Sequence, residues 1–283
     1  MAIHCLMLVE RETVFMDAGS IGVFDSGLGG LTTVKKLIEY MPGEDIIYLG
    51  DTGRVPYGSR SAETIVRYAR QDAAFLARYD IKAMVIACNT VSSYAYRELC
   101  GAYKMPVFEV IEAPARAAYS STVNGRVGVI GTAATIRSGA YETALSRLSS
   151  ELFVVSVPCP LFVPLAENGR TDADDVAALA IAEDYLSGLR ESGIDTLIMG
   201  CTHYPLLRRV IEKVMGSGVT LIDSGAETAK CVAEALRERD LLSHSAQGNV
   251  RYFITDSAQE FSLLASRFLE SAVGGMVEQV SLD

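Results

Sequence analysis

The chain contains no stretch approaching the roughly 18 uninterrupted apolar residues that a membrane-crossing helix requires, so it is not expected to span a bilayer. Nor does it contain a run of Lys or Arg. Its 35 acidic residues against 25 basic ones give a net charge of −10, which makes nucleic acid and anionic membrane poor partners. Small anionic ligands are compatible with that balance, because a pocket can be lined with backbone N–H groups. Cysteines at 5, 88, 100, 159, 201 and 231 are too sparse over 283 residues for a disulfide framework, and none falls in C-x-x-C spacing. Reduced thiols and a cytoplasmic location are the expectation. The apolar run from Ile3 to Val9 has no basic leader and no small-residue cleavage site, and it contains His4, so residues 1–20 read as a cytosolic extension.

What is present suits a globular protein of about two domains. Hydrophobic residues are 49% of the chain and charged residues 21%, enough to bury a substantial core. Short β-rich runs alternate with helical patterns throughout, which predicts α/β architecture with mostly parallel sheets flanked by helices. The expected strands are Ile21 to Phe24, Asp45 to Leu49, Ala83 to Ala87, Val107 to Val110, Val127 to Ile130, Phe153 to Val157, Thr196 to Met199 and Val219 to Ile222. Between them, Ser61 is expected to cap a helix with Ile65, Ala69, Ala73 and Leu76 on one face. Thr171 with Asp174 matches a capping box for a helix over 172–190. Pro205 suits the first turn of a helix that ends at Gly216.

The chain also repeats itself. Ile21-Gly22-Val23-Phe24-Asp25-Ser26 aligns with Val127-Gly128-Val129-Ile130-Gly131-Thr132, and the run Ile81 to Cys88 aligns with Ile194 to Cys201. Residues 21–111 and 112–223 therefore read as two pseudo-symmetric copies of one unit, with 224–283 surplus to the repeat. Cys88 and Cys201 fall at equivalent points, each just past a strand and before a helix, where ligands bind in open α/β sheets. Copies facing each other across a cleft would bring two thiols to one ligand from opposite sides.

At both positions a following helix would aim N–H groups and a positive dipole end at the sulfur, an arrangement that lowers a thiol pKa. Either cysteine alone is read more simply as a buried small hydrophobe. The pair, in Cys88-Asn89-Thr90 and Cys201-Thr202-His203, favours chemistry. A zinc set of Cys88, Cys201, His203 and Asp25 is disfavoured, because the spacing resembles no common zinc motif. Asp25-Ser26-Gly27-Leu28-Gly29-Gly30 ends the first strand and is neither G-x-G-x-x-G nor a Walker loop. It suits close approach to an anion, or a plain strand-to-helix turn. Gly131-Thr132-Ala133-Ala134-Thr135 is its counterpart, equally open to a capping role. Val55-Pro56-Tyr57-Gly58 and the stretch from Pro158 to Glu167 are loops near the expected cleft, Glu167 being either a cleft carboxylate or a solvated helix-end charge.

Together DSGLGG at 25–30, VPYG at 55–58, CNT at 88–90, GTAAT at 131–135, the stretch ending PLAE at Glu167 and GCTHYP at 200–205 resemble the glutamate racemases. These form a branch of the aspartate/glutamate racemase superfamily. The resemblance implies two α/β domains with the active site in the cleft between them. The first domain would comprise 21–111 plus 224–283 and the second 112–223. It also implies cofactor-independent racemisation of glutamate, supplying D-glutamate for peptidoglycan, by a homodimer that needs no metal. By similarity Cys88 removes the α-proton of the D-enantiomer, assisted by Asp25. Cys201 removes that of the L-enantiomer, assisted by His203 with Glu167. The α-carboxylate would fall to Asn89, Thr90, Thr132 and Thr135, the amino group to Asp25, Ser26 and Thr202, and the side-chain carboxylate to Tyr57 and Gly58 beside Pro56. A sister racemase for another small acid, a binding protein using the same cleft, and a redox or metal protein are the competing readings.

Overall fold

In the computed structural model residues 19–282 are described, so the expected extension lies outside the described residues apart from Gly19 and Ser20. In chain order the elements are β1 (Ser20–Asp25), α1 (Leu31–Tyr40), β2 (Ile46–Gly50), α2 (Ala62–Leu76), β3 (Ile81–Ile86), α3 (Asn89–Ala102) and β4 (Val107–Glu109). There follow α4 (Glu112–Ser121), β5 (Arg126–Gly131), α5 (Ala133–Ser138), α6 (Ala140–Leu148), β6 (Phe153–Pro158), α7 (Phe162–Glu167) and α8 (Val176–Glu191). The chain continues with β7 (Thr196–Gly200), α9 (Arg208–Met215), β8 (Thr220–Asp223), α10 (Ser224–Glu238), β9 (Val250–Ile254), α11 (Ala258–Leu269) and β10 (Val277–Gln279).

Two sheets result, ordered β10-β9-β2-β1-β3-β4 and β6-β5-β7-β8, with every described pairing parallel. The repeat is visible in that order. In each copy the first strand sits between the second and the third, with the fourth outside the third. Even the glycines match: a Cβ on Gly22 would lie 2.9 Å from Ile81 Cδ1, and one on Gly128 would lie 2.4 Å from Ile194 Cδ1. The repeat-equivalent isoleucines fill the space that each glycine leaves.

Alternation along the strands sends side chains to both faces, so each sheet carries helices on both sides. Ile21 and Val23 of β1 pack with α1, α10 and α11, while Phe24 packs with α2 and α3. In the second sheet Val127 and Val129 meet α4 and α6, and Ile130, Leu197 and Met199 meet α7, α8 and α9. The stretch beyond 224 returns to the first sheet, where β9 pairs with β2 and β10 with β9.

Ser61 caps α2 as expected, its hydroxyl accepting from the Thr64 N–H, and Ile65, Ala69, Ala73 and Leu76 are buried. The expected Thr171 and Asp174 capping box does not form. Asp175 caps α8 instead, accepting from the Ala178 N–H, because the Asp172 carboxylate takes the Asp174 N–H in a local turn that holds this stretch out of the helix. Pro205 opens a 3-10 turn, Tyr204–Leu207, which leads into α9. Two strands, β9 and β10, were absent from the sequence expectation. No helix among the described residues is long and apolar enough to cross a membrane.

Candidate active site

The carboxyl ends of the strands in the two sheets face one another, and loops from the two copies touch there. A Cβ on Gly29 would lie 2.1 Å from Thr202 Oγ1 and 2.6 Å from His203 Nδ1, so only glycine fits between them. The Thr32 hydroxyl donates to the Thr202 carbonyl at 3.0 Å. On the other side a Cβ on Gly58 would meet Thr132 Cβ at 2.9 Å. The Thr90 hydroxyl is 2.9 Å from that of Thr132 and 3.3 Å from that of Thr135. Thus DSGLGG meets GCTHYP, and VPYG and CNT meet GTAAT.

Cys88 follows β3 at the N-cap of α3 and is 6% exposed. Its thiol donates to Ser26 Oγ at 3.3 Å. The expectation of a lowered pKa is overturned. Burial, and then the Asp25 carboxylate, push the Cys88 thiol up to about 12, and the Ser26 contact and the Val91 N–H at the head of α3 offset only part of this. The helix terminus is there, but loss of hydration outweighs it.

Asp25 closes β1. Its Oδ2 accepts from the Gly27 N–H at 3.0 Å, and its buried Oδ1 has no hydrogen-bond partner. It does not cap α1, whose N-cap is Gly30 without a side-chain bond. Burial raises the Asp25 pKa, opposed by the charge of His203. Asp25 therefore reaches Cys88 through its field, while Ser26 makes the contact.

Cys201 follows β7 and is 5% exposed, with Sγ 4.0 Å from His203 Nδ1. The far nitrogen of that ring, Nε2, lies 3.0 Å from Glu167 Oε1 at the end of α7. Burial alone would lower the His203 pKa, but the bonds to Cys201 and Glu167 prevail and raise it to about 10. The Phe268 ring stands edge-on to His203 with centroids 5.3 Å apart, and Arg267 donates to the Glu167 carbonyl at 2.7 Å. Glu167 is thus a cleft carboxylate with a ring to orient. Thr202 Oγ1 lies 3.4 Å from His203 Nδ1.

Two expected ligand contacts take a different form. Both amide hydrogens of Asn89 are engaged, with Nδ2 donating to Tyr141 Oη at 2.8 Å and to the Val110 carbonyl at 3.2 Å, while Oδ1 is buried without a partner. That leaves its backbone N–H, in the first turn of α3, to face an anion. Tyr57 is 1% exposed, and its hydroxyl turns away to Asp51 and, at 3.3 Å, to Asp72. The phenol is therefore taken, and only the backbone of the short 3-10 turn Tyr57–Ser59 is open to a carboxylate. Pro56 is exposed at the head of that turn. Thr132 both caps α5, accepting from the Thr135 N–H at 3.2 Å, and meets Thr90, so the capping and cleft readings hold together.

Sequence reasoning did not single out Tyr141, Asp51, Asp72, Arg54, Arg267 or Phe268. None lies in a motif with its partner, so no local signal marks them. Cys88, Cys159 and Cys201 are free thiols. Among the described residues no group of three or more His, Cys, Asp or Glu is placed to hold a metal ion.

Residues 21–232 match the family model described as Asp/Glu/Hydantoin racemase. The chain is 54% identical over 265 residues to the glutamate racemase of Geobacter metallireducens, an alignment covering 93% of this chain and 97% of that one. Among solved structures, glutamate racemase isoform RacE1 of Bacillus anthracis superposes with a TM-score of 0.89 at 39% identity, covering 94% of this chain and 99% of the other. The glutamate racemase of Francisella tularensis, solved with D-glutamate, gives 0.88 at 39% identity, with 95% and 99% covered.

Proposed function

The chain belongs to the Asp/Glu/Hydantoin racemase family, and on that premise we propose that it interconverts L- and D-glutamate by two-base proton transfer. Cys88 and Cys201 each serve one face of the α-carbon. The observation that carries this reading is the placement of one buried thiol at each of two repeat-equivalent strand ends, on loops that touch across one cleft. Inversion needs a base on one face and an acid on the other.

The half-sites hold their protons differently. Burial keeps Cys88 protonated at neutral pH, so it stands ready as the acid. His203, bonded to Cys201 and Glu167, keeps its own proton up to about 10. In the proposed division of roles, L-glutamate meets its base at Cys201 and its acid at Cys88. Turnover of D-glutamate starts from the complementary distribution, with Cys88 as base.

The carbanion has no electron sink of its own, so charge developing on the α-carboxylate needs donors fixed in a dry site. The backbone N–H groups of Asn89 and Thr90 and the hydroxyls of Thr90, Thr132 and Thr135 supply them. Asp25, Ser26 and Thr202 receive the amino group, and the Gly58 N–H receives the side-chain carboxylate. A cleft fitted to that carboxylate rejects aspartate by about 1 to 3 kcal/mol.

In this reading D-glutamate is supplied for peptidoglycan synthesis in the cytoplasm by a homodimer, and no cofactor takes part. The domains are 21–111 with 224–283, and 112–223. The test is L-glutamate in D2O with metal-free protein and no pyridoxal phosphate. Loss of optical activity together with deuterium at Cα is expected. An unchanged substrate would move the reading to another acid.

A further inference from the structure

Behind the VPYG loop lies a buried polar network. Asp51 follows β2 and Asp72 lies on α2, and both are fully buried. Arg54 bridges them, with Nε donating to Asp51 Oδ2 at 2.6 Å and Nη2 to Asp72 Oδ1 at 2.9 Å. The Tyr57 hydroxyl sits between the same two carboxyl groups. From the returning tail, the Thr255 hydroxyl donates to Asp51 Oδ1 at 2.8 Å and accepts from the Gly53 N–H at 2.8 Å. Gln71 Oε1 accepts from Arg54 Nη1 at 2.5 Å, and the guanidinium lies 4.2 Å from the centre of the Tyr68 ring.

Counting protons shows how this holds together. Two ionised carboxylates against one guanidinium would leave a net negative charge on two carboxyl groups that are themselves fully buried. Asp51 is the better supplied with donors, since it accepts from Arg54, Tyr57 and Thr255. Tyr57 has a single proton, and the closer acceptor is Asp51. Its 3.3 Å approach to Asp72 Oδ2 is then a hydrogen bond only if Asp72 brings the proton.

We propose that Asp72 holds the proton of a neutral Asp72–Tyr57–Asp51–Arg54 chain that fixes the loop carrying Gly58, and so positions the contact to the substrate's side-chain carboxylate. The Asp72 hydroxyl donates to Tyr57, Tyr57 donates to Asp51, and Arg54 closes the chain on both carboxyl groups. Gly58 directly follows Tyr57 and packs against Thr132 across the cleft, so a shift of the phenol shifts the Gly58 N–H. These four are positioning residues. The charged and titratable groups facing Asp72 are Asp51, Arg54, Tyr57 and, farther off, Asp25. Burial and then Asp51 push its pKa well above the usual carboxyl range, and Arg54 and Tyr57 pull back less.

The proposal rests on the glutamate reading for its substrate, and racemisation by the unaltered protein checks that reading separately. The experiment compares Asp72→Asn, Asp72→Ala and Asp51→Asn in the full chain. An asparagine amide donates to Tyr57 and its carbonyl accepts from Arg54, so Asp72→Asn is expected to keep KM for glutamate within about twofold. Asp72→Ala and Asp51→Asn are expected to raise KM about tenfold with a smaller change in kcat. Should Asp51→Asn fail to fold, Tyr57→Phe breaks the same relay and is expected to raise KM likewise.

Thermal unfolding supplies a readout independent of activity. A carboxyl that keeps its proton when folded and loses it when unfolded costs stability as pH rises above the ordinary carboxyl range. The unaltered protein should therefore lose ground to Asp72→Asn as pH rises above the ordinary carboxyl range. An Asp72→Asn variant as impaired in KM as Asp72→Ala would overturn the proposal. So would KM values unmoved in all variants, or a melting difference independent of pH.

Discussion

The Cys88 and Cys201 half-sites occupy equivalent strand ends of one repeated unit, yet they surround their thiols with opposite chemistry. Cys88 is paired with a neutral hydroxyl, Ser26, near a buried carboxyl group, Asp25, and burial raises its thiol to about 12. Cys201 stands beside an imidazole that keeps its proton up to about 10 and is held from behind by Glu167. Repetition supplies two buried thiols, one at each of the equivalent strand ends. In the proposed two-base reading, divergence of their neighbours separates the acid from the base.

The largest effect expected from breaking the comparison is loss of either thiol. Cys88→Ser and Cys201→Ser should each lower racemisation by about 10³-fold, followed as the rate of loss of optical activity. Because two enantiomers have an equilibrium constant of one, kcat/KM must stay equal in both directions in every variant. The asymmetry of the half-sites therefore shows in exchange and in kcat or KM taken singly. Near wild-type rates in both variants would contradict the two-base account.

Next comes the contact between copies. Gly29→Ala places a methyl against Thr202 and His203, and a loss of about 10²-fold in kcat is expected in steady-state assays. Removing the support of the ring, with Glu167→Gln, should cost about tenfold in kcat. It should also move the basic limb of the pH profile down from near 10, since the carboxylate helps hold the proton on His203.

The same shift has a consequence for stability. His203 has a folded pKa above its unfolded one, so its contribution is complete below the unfolded value of about 6.5 and is lost as pH rises through about 10. Melting temperature should fall across that window in the wild type and less in Glu167→Gln. The smallest effect is expected at Arg267, an exposed side chain whose contact is to a carbonyl of α7. Arg267→Ala should change kcat by less than about threefold, because exposed polar contacts contribute little. A tenfold loss there would show that α11 orients His203 more tightly than its geometry indicates.

Much of the fold was legible because parallel strands buried on both faces leave continuous apolar runs. Eight strands were placed within a residue or two, and the Ile21 and Val127 segments revealed the repeat before the shared strand order did. β9 and β10 were missed because Val250–Ile254 carries an exposed arginine at its second position and the three-residue Val277–Gln279 is polar outside Val277. At the site, motif residues converge on one cleft. What the local sequence hid was burial, the quantity that lifts the Cys88 pKa against its helix terminus. It also hid the partners that claim Tyr57 Oη and the Asn89 amide, since these lie just after β2, on α2, on α6 and in the loop after β4.

The most direct test of opposed thiols is deuterium incorporation into each pure enantiomer by Cys201→Ser, read by NMR of the α-proton in D2O. Cys88 alone serves the D-face in this account, so D-glutamate should exchange its α-proton with retention while L-glutamate stays protiated. Exchange into L-glutamate, or equal exchange into both, would contradict the assignment of one thiol to each face.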